Sequence, residues 1–393
     1  MLSSKLLTIS PSYTIAISNQ VKELIGAGIP VTNLTIGEPD FNTPQKIKQK
    51  AIEGLKGNYT RYDYVAGMLA LRQAIQAKFE RDNRIKYDLD EILVSSGAKH
   101  AITNALMALI NPGDQVLLAA PYWTSYPEMI KLAGGFPLII EGQQDHDYKL
   151  TADLIRQYAS ESTKAILINN PANPTGSVYS QEELEAILEV CLEKKLYILS
   201  DEIYEAISFN DRFISIASLS QAAREITITI NGFSKAYAMT GWRLAYTGSS
   251  KKICQAMTTI QGHLVSHPST ISQYAGIAAL NECDQEKKQM VDTYKERLDK
   301  LLLLMDDLQP ITYVKPQGAF YLFICIDSLR DHYDHDQSLS LQVAKALLDN
   351  YHLAVVPGIA FGMDNHVRIT FATNWDTIQE GFHKLKAYLK DLL

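Results

Sequence analysis

"ITITINGFSKAYAMTGWRLAYTGS" (Ile226–Ser249) sets two short apolar runs on either side of a turn made largely of small side chains. ITITIN ends at Asn231 and LAYTGS starts at Leu244, and both runs have the length and branching of buried strands. Between them stands a single lysine, Lys235, among glycine, serine and alanine, and the next positive charge is Arg243. A lysine ammonium titrates near 10.4 in water and is no nucleophile. Small neighbours let another molecule approach this amine closely, and a site that lowers its proton affinity makes it reactive.

Working outward, runs of the same kind recur upstream: EILVSS to Ser96, QVLLAA to Ala120, PLIIEG around Ile140, KAILINN to Asn170 and LYILS to Ser200. Helical patterns separate most of them. In AITNALMALI, for example, Ile102, Ala105, Leu106, Leu109 and Ile110 form one apolar stripe. Such alternation predicts a three-layer α/β domain, a mostly parallel sheet covered on both faces. Past residue 285 a long charged helix in QEKKQMVDTYKERLDKLLLLMDDL precedes shorter strands in AFYLFIC, LAVVPG and HVRITFA, the pattern of a smaller α+β domain. The segment before Thr43 is expected to pack with it. The predicted division is therefore 45–285 for the large α/β domain, and 1–44 with 286–393 for the small one.

At 393 residues the chain exceeds the usual limit of one compact core. Its 46% hydrophobic and 21% charged residues are those of an ordinary globular protein. A net charge of -7 without basic clusters argues against a nucleic-acid partner. MLSSKLLTISPSYTIAIS, broken by Ser10, Pro11 and Ser12, reads as neither signal peptide nor membrane span, so a cytoplasmic protein with no membrane partner is expected. Cys191, Cys254, Cys283 and Cys325 lie far apart without CxxC spacing and read as buried thiols. RDHYDHD, with His332 and His335 among three aspartates, reads as a solvated loop rather than a metal site.

In doubly wound sheets, ligands sit beyond the carboxyl ends of the strands. The residues there are Gly97, Ala98 and Lys99; Pro121, Tyr122 and Trp123; NNPANPTG (Asn169–Gly176); Asp201 and Tyr204; and NGFSK. A glycine turn into a helix near Ala98 leaves backbone N–H groups free for a phosphate. Arg243 taken alone fits either a grip on phosphate oxygens or a surface ion pair. Asp201 either meets a cation or caps a helix in SDEIYE. Trp123 offers a face to a flat ring or fills core. Together the clues describe a ligand that is flat, phosphorylated, cationic at one ring atom and bonded to an amine, and pyridoxal 5'-phosphate has all four properties.

At this point the chain resembles the class I pyridoxal-phosphate-dependent aminotransferases of fold type I, most of all the bacterial aspartate aminotransferases. The motifs that carry the likeness span nearly the whole sequence: LTIGEPDFNTP, YVAGMLALR, PYWTSYPEM, NPANPTG, SDEIYE, SKAYAMTGWR, KPQGAFYLF and VRITFA. The resemblance implies that Lys235 forms a Schiff base with the cofactor and shuttles a proton, and that Asp201 pairs with the ring nitrogen. It implies Asn173 and Tyr204 at the ring's phenolic oxygen and Trp123 stacked on the ring. By the same resemblance Gly97, Ala98, Ser234 and Arg243 would surround the phosphate, joined by Tyr62 from the other subunit of a homodimer. The resemblance also implies that Arg368 clamps the α-carboxylate of an amino acid or 2-oxo acid, with Gly37 and Asn173 assisting. Cis peptide bonds are implied at Ala120–Pro121 and Asn173–Pro174. One departure is Gly232, where many relatives carry a hydroxyl, which leaves the part of Ser234 open.

One branch of that family reads a side-chain carboxylate with a lysine at the position of Lys99, aided by hydroxyls where this chain has Ser12 and Thr14. The expected reaction is ping-pong amino transfer from aspartate to 2-oxoglutarate. An aromatic or broad substrate range, and a carbon–sulfur β-lyase on the same scaffold, are the alternatives. A regulator would need a DNA-binding extension, and a dinucleotide enzyme a GxGxxG after its first strand.

Overall fold

The computed structural model describes residues 4–11, 13–209 and 213–393. Seven strands form its main sheet: β1 Ile92–Ser95, β2 Gln115–Ala120, β3 Phe136–Glu141, β4 Thr163–Asn169, β5 Tyr197–Asp201, β6 Thr227–Gly232 and β7 Ala245–Gly248. Their spatial order is β1-β7-β6-β5-β4-β2-β3. Neighbours run parallel from β6 through β3, and β7 alone runs against its two neighbours.

Both faces of these strands are apolar because both are covered. Leu118, Leu167, Leu199 and Ile230 pack under the helix Ala98–Leu109 through Ala101, Ile102, Ala105 and Leu106. The alternate residues Leu117, Ile166, Ile168 and Ile198 face the other way, against Leu184, Ile187 and Leu188 of the helix Gln181–Glu193. Ser180 starts that helix with a capping box: its hydroxyl accepts from the Glu183 N–H, and its own N–H donates to the Glu183 carboxylate.

Register decides what meets at the carboxyl ends. Asn169 lies opposite Asp201 on β5, and Ala245 of β7 lies opposite both Ser95 of β1 and Gly232 of β6. The glycine at 232 has a steric cause, since a Cβ there would sit 2.8 Å from the Ala245 Cβ.

A second, antiparallel sheet holds β8 Thr312–Tyr313, β9 Tyr321–Cys325, β10 Val356–Pro357 and β11 His366–Thr370, in the order β10-β11-β9-β8. The helix Asp284–Met305 lays Tyr294, Leu298 and Leu301 into one core with Phe320, Leu322 and Ile324. The LAVVPG run, expected as one strand, is two. Leu353–Ala354 pairs in parallel with Thr32–Asn33, and after Val355 the chain re-pairs with β11 as Val356–Pro357. That first ladder and the bond from Thr370 N–H to the Leu34 carbonyl (3.0 Å) bring residues 34–38 beside Arg368 of β11.

Asp201 ends a strand and begins no helix, because SDEIYE continues into a turn in which Ile203 N–H donates back to Asp201 Oδ1. The peptide bonds Ala120–Pro121 and Asn173–Pro174 are cis, as are Asn170–Pro171 and Gln309–Pro310. No helix among the described residues is long and apolar enough to cross a membrane. Asp331 and His335 are exposed and 3.8 Å apart, and no group of three or more potential ligands that could hold a metal occurs among the described residues.

Candidate active site

A cavity of about 620 Å³ opens where β1, β2, β4, β5 and β6 end. Lys235, three residues past β6, reaches into it and donates from Nζ to the Gly37 carbonyl. Loss of hydration lowers its pKa to about 8; Arg368 and Arg243 act in the same direction, and Glu38 and Asp201 oppose them. A sizeable fraction of this amine is therefore neutral, and nucleophilic, near physiological pH.

Asp201 is 2% exposed and lines the same cavity. Its Oδ2 accepts from the Tyr126 hydroxyl at 2.6 Å and its Oδ1 from Ile203 N–H at 3.2 Å. Burial raises its pKa to about 6 in spite of both bonds. The side chain therefore ionises at neutral pH without a full complement of donors and suits a cationic N–H.

Arg368 is 4% exposed, stacked between Tyr321 (4.3 Å to the ring centroid) and Phe361 (5.0 Å). One Nη donates to Asn173 Oδ1 (3.1 Å) and the other to the Thr35 carbonyl (2.9 Å), while Nε is buried without a partner. Burial lowers its pKa, yet a guanidinium stays charged inside proteins. Among the described residues it forms no ion pair. A buried, unpaired guanidinium on a cavity wall is a receptor for a planar anion such as a carboxylate.

The turn after β1 brings Gly97 against Arg243. Gly97 has φ +88°, and a Cβ there would stand 2.4 Å from an Nη of Arg243, so the glycine is what lets the guanidinium lie against the turn. The helix Ala98–Leu109 starts here, and Ala98, Ser234 and Arg243 line the cavity. Arg243 donates to the Thr240 carbonyl at 2.9 Å and forms no ion pair among the described residues.

Residues 29–385 match the family model for aminotransferase class I and II. The chain belongs to the class I and II aminotransferases. This aminotransferase is 41% identical to an aspartate aminotransferase of Bacillus sp. (strain YM-2), with 99% of each chain covered. It is 40% identical to a probable aspartate/prephenate aminotransferase of Rickettsia felis, over 97% of this chain and 94% of that one. The solved structure of Thermus thermophilus aspartate aminotransferase with maleate superposes with a TM-score of 0.93 at 34% identity, covering 98% of this chain and 99% of that one.

The remaining sequence-predicted residues of the aminotransferase fall as follows. Gly37, Lys99, Trp123, Asn173 and Tyr204 line the cavity. The Lys99 ammonium sits 5.2 Å from the centre of the Trp123 ring, and desolvation with the charge of Arg243 lowers its pKa. Gly97 contributes through its contact with Arg243 rather than as cavity wall. Tyr62 is 91% exposed and stands away from the cavity of its own chain, edge-on to His267. Ser12 and the side chain of Thr14 lie outside the described residues.

Three neighbours lie outside the strand-end residues, and a fourth, Asn169, stands among them without a role assigned from the sequence. Tyr126 holds Asp201; Tyr321 bonds the Tyr204 hydroxyl at 2.9 Å and stacks on Arg368; the Thr35 carbonyl also holds Arg368. The Asn169 side chain donates to the Asp201 carbonyl (2.9 Å) and accepts from Asn173 N–H (2.8 Å), so a continuous path joins Asp201 to Arg368. Spacing carried a signal for two of them. Tyr126 is one helical turn past Trp123, and Tyr321 lies two residues before Phe323, the residue paired with Arg368.

Proposed function

We propose that this aminotransferase carries pyridoxal 5'-phosphate and moves the α-amino group of aspartate to 2-oxoglutarate in two half-reactions at one site. The observation that carries the reading is Arg368, a buried guanidinium that has no carboxylate partner among the described residues and lines the same cavity as Lys235. Aspartate is favoured because Lys99 adds a second cation to that cavity, the arrangement a dicarboxylate needs. The Thermus relative's solved structure is of that enzyme with maleate, itself a dicarboxylate. Prephenate, named for the Rickettsia relative, also carries two carboxylates and is a second acid to assay.

The donor set fits the cofactor. Gly97, Ala98, Ser234 and Arg243 supply a cradle for its phosphate, with a side chain at 97 excluded. Asp201 would hold the proton at its ring nitrogen, Asn173 and Tyr204 would bond its phenolic oxygen, and Trp123 would cover one ring face. When bound, the cofactor supplies an electron-poor ring that accepts charge from the amino acid's Cα. Lys235 would hold the cofactor and move the proton at the substrate's Cα, a task suited to an amine with a pKa of about 8. Arg368, Gly37 and Asn173 hold the α-carboxylate, and Lys99 orients the side-chain carboxylate. Stacked aromatics around Arg368 exclude water and strengthen its grip.

The same reading takes 45–285 as the cofactor domain and 1–44 with 286–393 as the domain that brings Arg368. It makes the protein a homodimer in which Tyr62 completes the partner's phosphate site. Supporting this, Tyr62 is exposed together with Tyr59, Tyr64, Leu264 and Val265, an apolar concentration typical of a covered surface. The free thiols Cys191, Cys254 and Cys283 are buried and accord with a cytoplasmic home. The test is an absorbance spectrum of the purified protein. A visible band that aspartate bleaches and 2-oxoglutarate restores is expected, and a colourless protein, or one that releases pyruvate and ammonia instead, contradicts the proposal.

A further inference from the structure

Resting on that reading, we infer that Tyr126 is a positioning residue for Asp201, fixing the orientation of its carboxylate and keeping the shared proton on the ring nitrogen of the cofactor. An ionised carboxylate has about four lone-pair sites. Among the described residues Asp201 receives only two donors, a backbone N–H at 3.2 Å and the Tyr126 phenol at 2.6 Å. The phenol is the only side-chain donor of the two, and its distance lies in the short range of O–H···O⁻ bonds. It is itself 1% exposed, so no water replaces it readily.

The geometry of Tyr126 is determined from both ends. Its N–H donates to the Trp123 carbonyl (3.0 Å), it opens the helix Tyr126–Leu132, and its ring stands edge-on to Trp123 at 5.3 Å and 86°. Trp123 and Tyr126 thus form one unit, in which Trp123 would meet the cofactor ring and Tyr126 holds the acid that would pair with the ring nitrogen. With Oδ2 engaged by Tyr126, the remaining lone pairs of Asp201 are those available toward the cavity.

The chemical consequence follows from proton affinity. Desolvation favours a neutral Asp201, and the phenol opposes it by bonding the ionised form. Without the hydroxyl, Asp201 becomes more basic and competes with the ring nitrogen for their one shared proton. A ring nitrogen that loses this proton accepts charge from Cα less well. The α-carboxylate clamp at Arg368 is untouched by the change.

The experiment compares the parent, Tyr126→Phe, Asp201→Asn and the double variant, each reconstituted with cofactor labelled with ¹⁵N at the ring nitrogen. Tyr126→Phe is expected to move the ¹⁵N resonance toward the unprotonated position, to weaken cofactor binding about tenfold, and to lower kcat about 10- to 100-fold with KM for aspartate nearly unchanged. On the Asp201→Asn background the same substitution is expected to add little, because the two residues act as one unit. An unchanged ¹⁵N shift in Tyr126→Phe, or full additivity in the double variant, overturns the inference even if thermal stability falls. If the parent itself binds no cofactor, the reading under Proposed function fails with it. If the parent binds and Tyr126→Phe matches it, this inference alone fails.

Discussion

Arg243 lies against Gly97 so closely that a methyl group on residue 97 would come within 2.4 Å of its guanidinium. The contact joins the turn after β1 to the segment after β6, and it requires glycine twice over, for space and for its φ of +88° with ψ of 162°. Gly97→Ala therefore displaces Arg243 and forces a backbone conformation that essentially only glycine adopts, at a cost of ~1–3 kcal/mol. Reconstitution of the apoenzyme is expected to show at least tenfold weaker cofactor binding, with urea unfolding registering the strain. Parent-like affinity would remove the turn from the phosphate site.

Arg368→Lys keeps the charge but loses the planar fork held by Asn173 and Thr35. Steady-state kinetics should show kcat/KM falling by about 10²- to 10³-fold for amino acids and 2-oxo acids alike, the scale of breaking a buried charged pair. The cofactor's absorbance band should persist. A variant with parent kinetics would place the α-carboxylate elsewhere.

Lys99 stands over Trp123 but is partly open to solvent, so its pairing with a carboxylate is of modest strength. Lys99→Ala is expected to lower kcat/KM for aspartate by about tenfold and to leave phenylalanine within about twofold. Equal losses on both substrates would separate this lysine from side-chain recognition.

Glu202, the first residue past β5 and outside the cavity lining, bears on stability rather than chemistry. Its Oε1 accepts from Ser200 (2.9 Å) and Ser215 (2.7 Å), and its Oε2 is buried without a partner. Burial first, and then the charge of Glu205, pushes its pKa up to about 8. The folded state thus holds this proton more tightly than the unfolded chain does. The stability it confers is complete below the unfolded value near 4.3 and is lost as pH rises from there through about 8. Glu202→Gln should come closest to the parent in urea at pH 4 and exceed it at pH 9, whereas a constant difference at both would refute the assignment.

The layout of the large sheet was legible because its strands are apolar on both faces and punctuated by glycine, proline and asparagine; EILVSS, QVLLAA and ITITIN lie on β1, β2 and β6. The ligand end was legible because Lys235, Asp201 and Gly97 are each unusual for a strand terminus. LAVVPG was not, since an unbroken apolar run does not disclose that Val355 separates two different pairings. The roles of Tyr126, Asn169 and Thr35 were missed for another reason, although Asn169 itself stands in the strand-end run NNPANPTG. They act on Asp201 and Arg368 through a phenol, an amide and a carbonyl, groups equally common in structural roles, and only the register of β4 with β5 and the turn after Trp123 bring them there.

Borohydride reduction of the holoprotein followed by peptide mass spectrometry tests the covalent role of Lys235 most directly. A pyridoxyl group retained on the peptide carrying Lys235, with its attachment rising as pH climbs through about 8 when apoenzyme and cofactor are mixed, is the predicted result. A label on another lysine, or none, would contradict it.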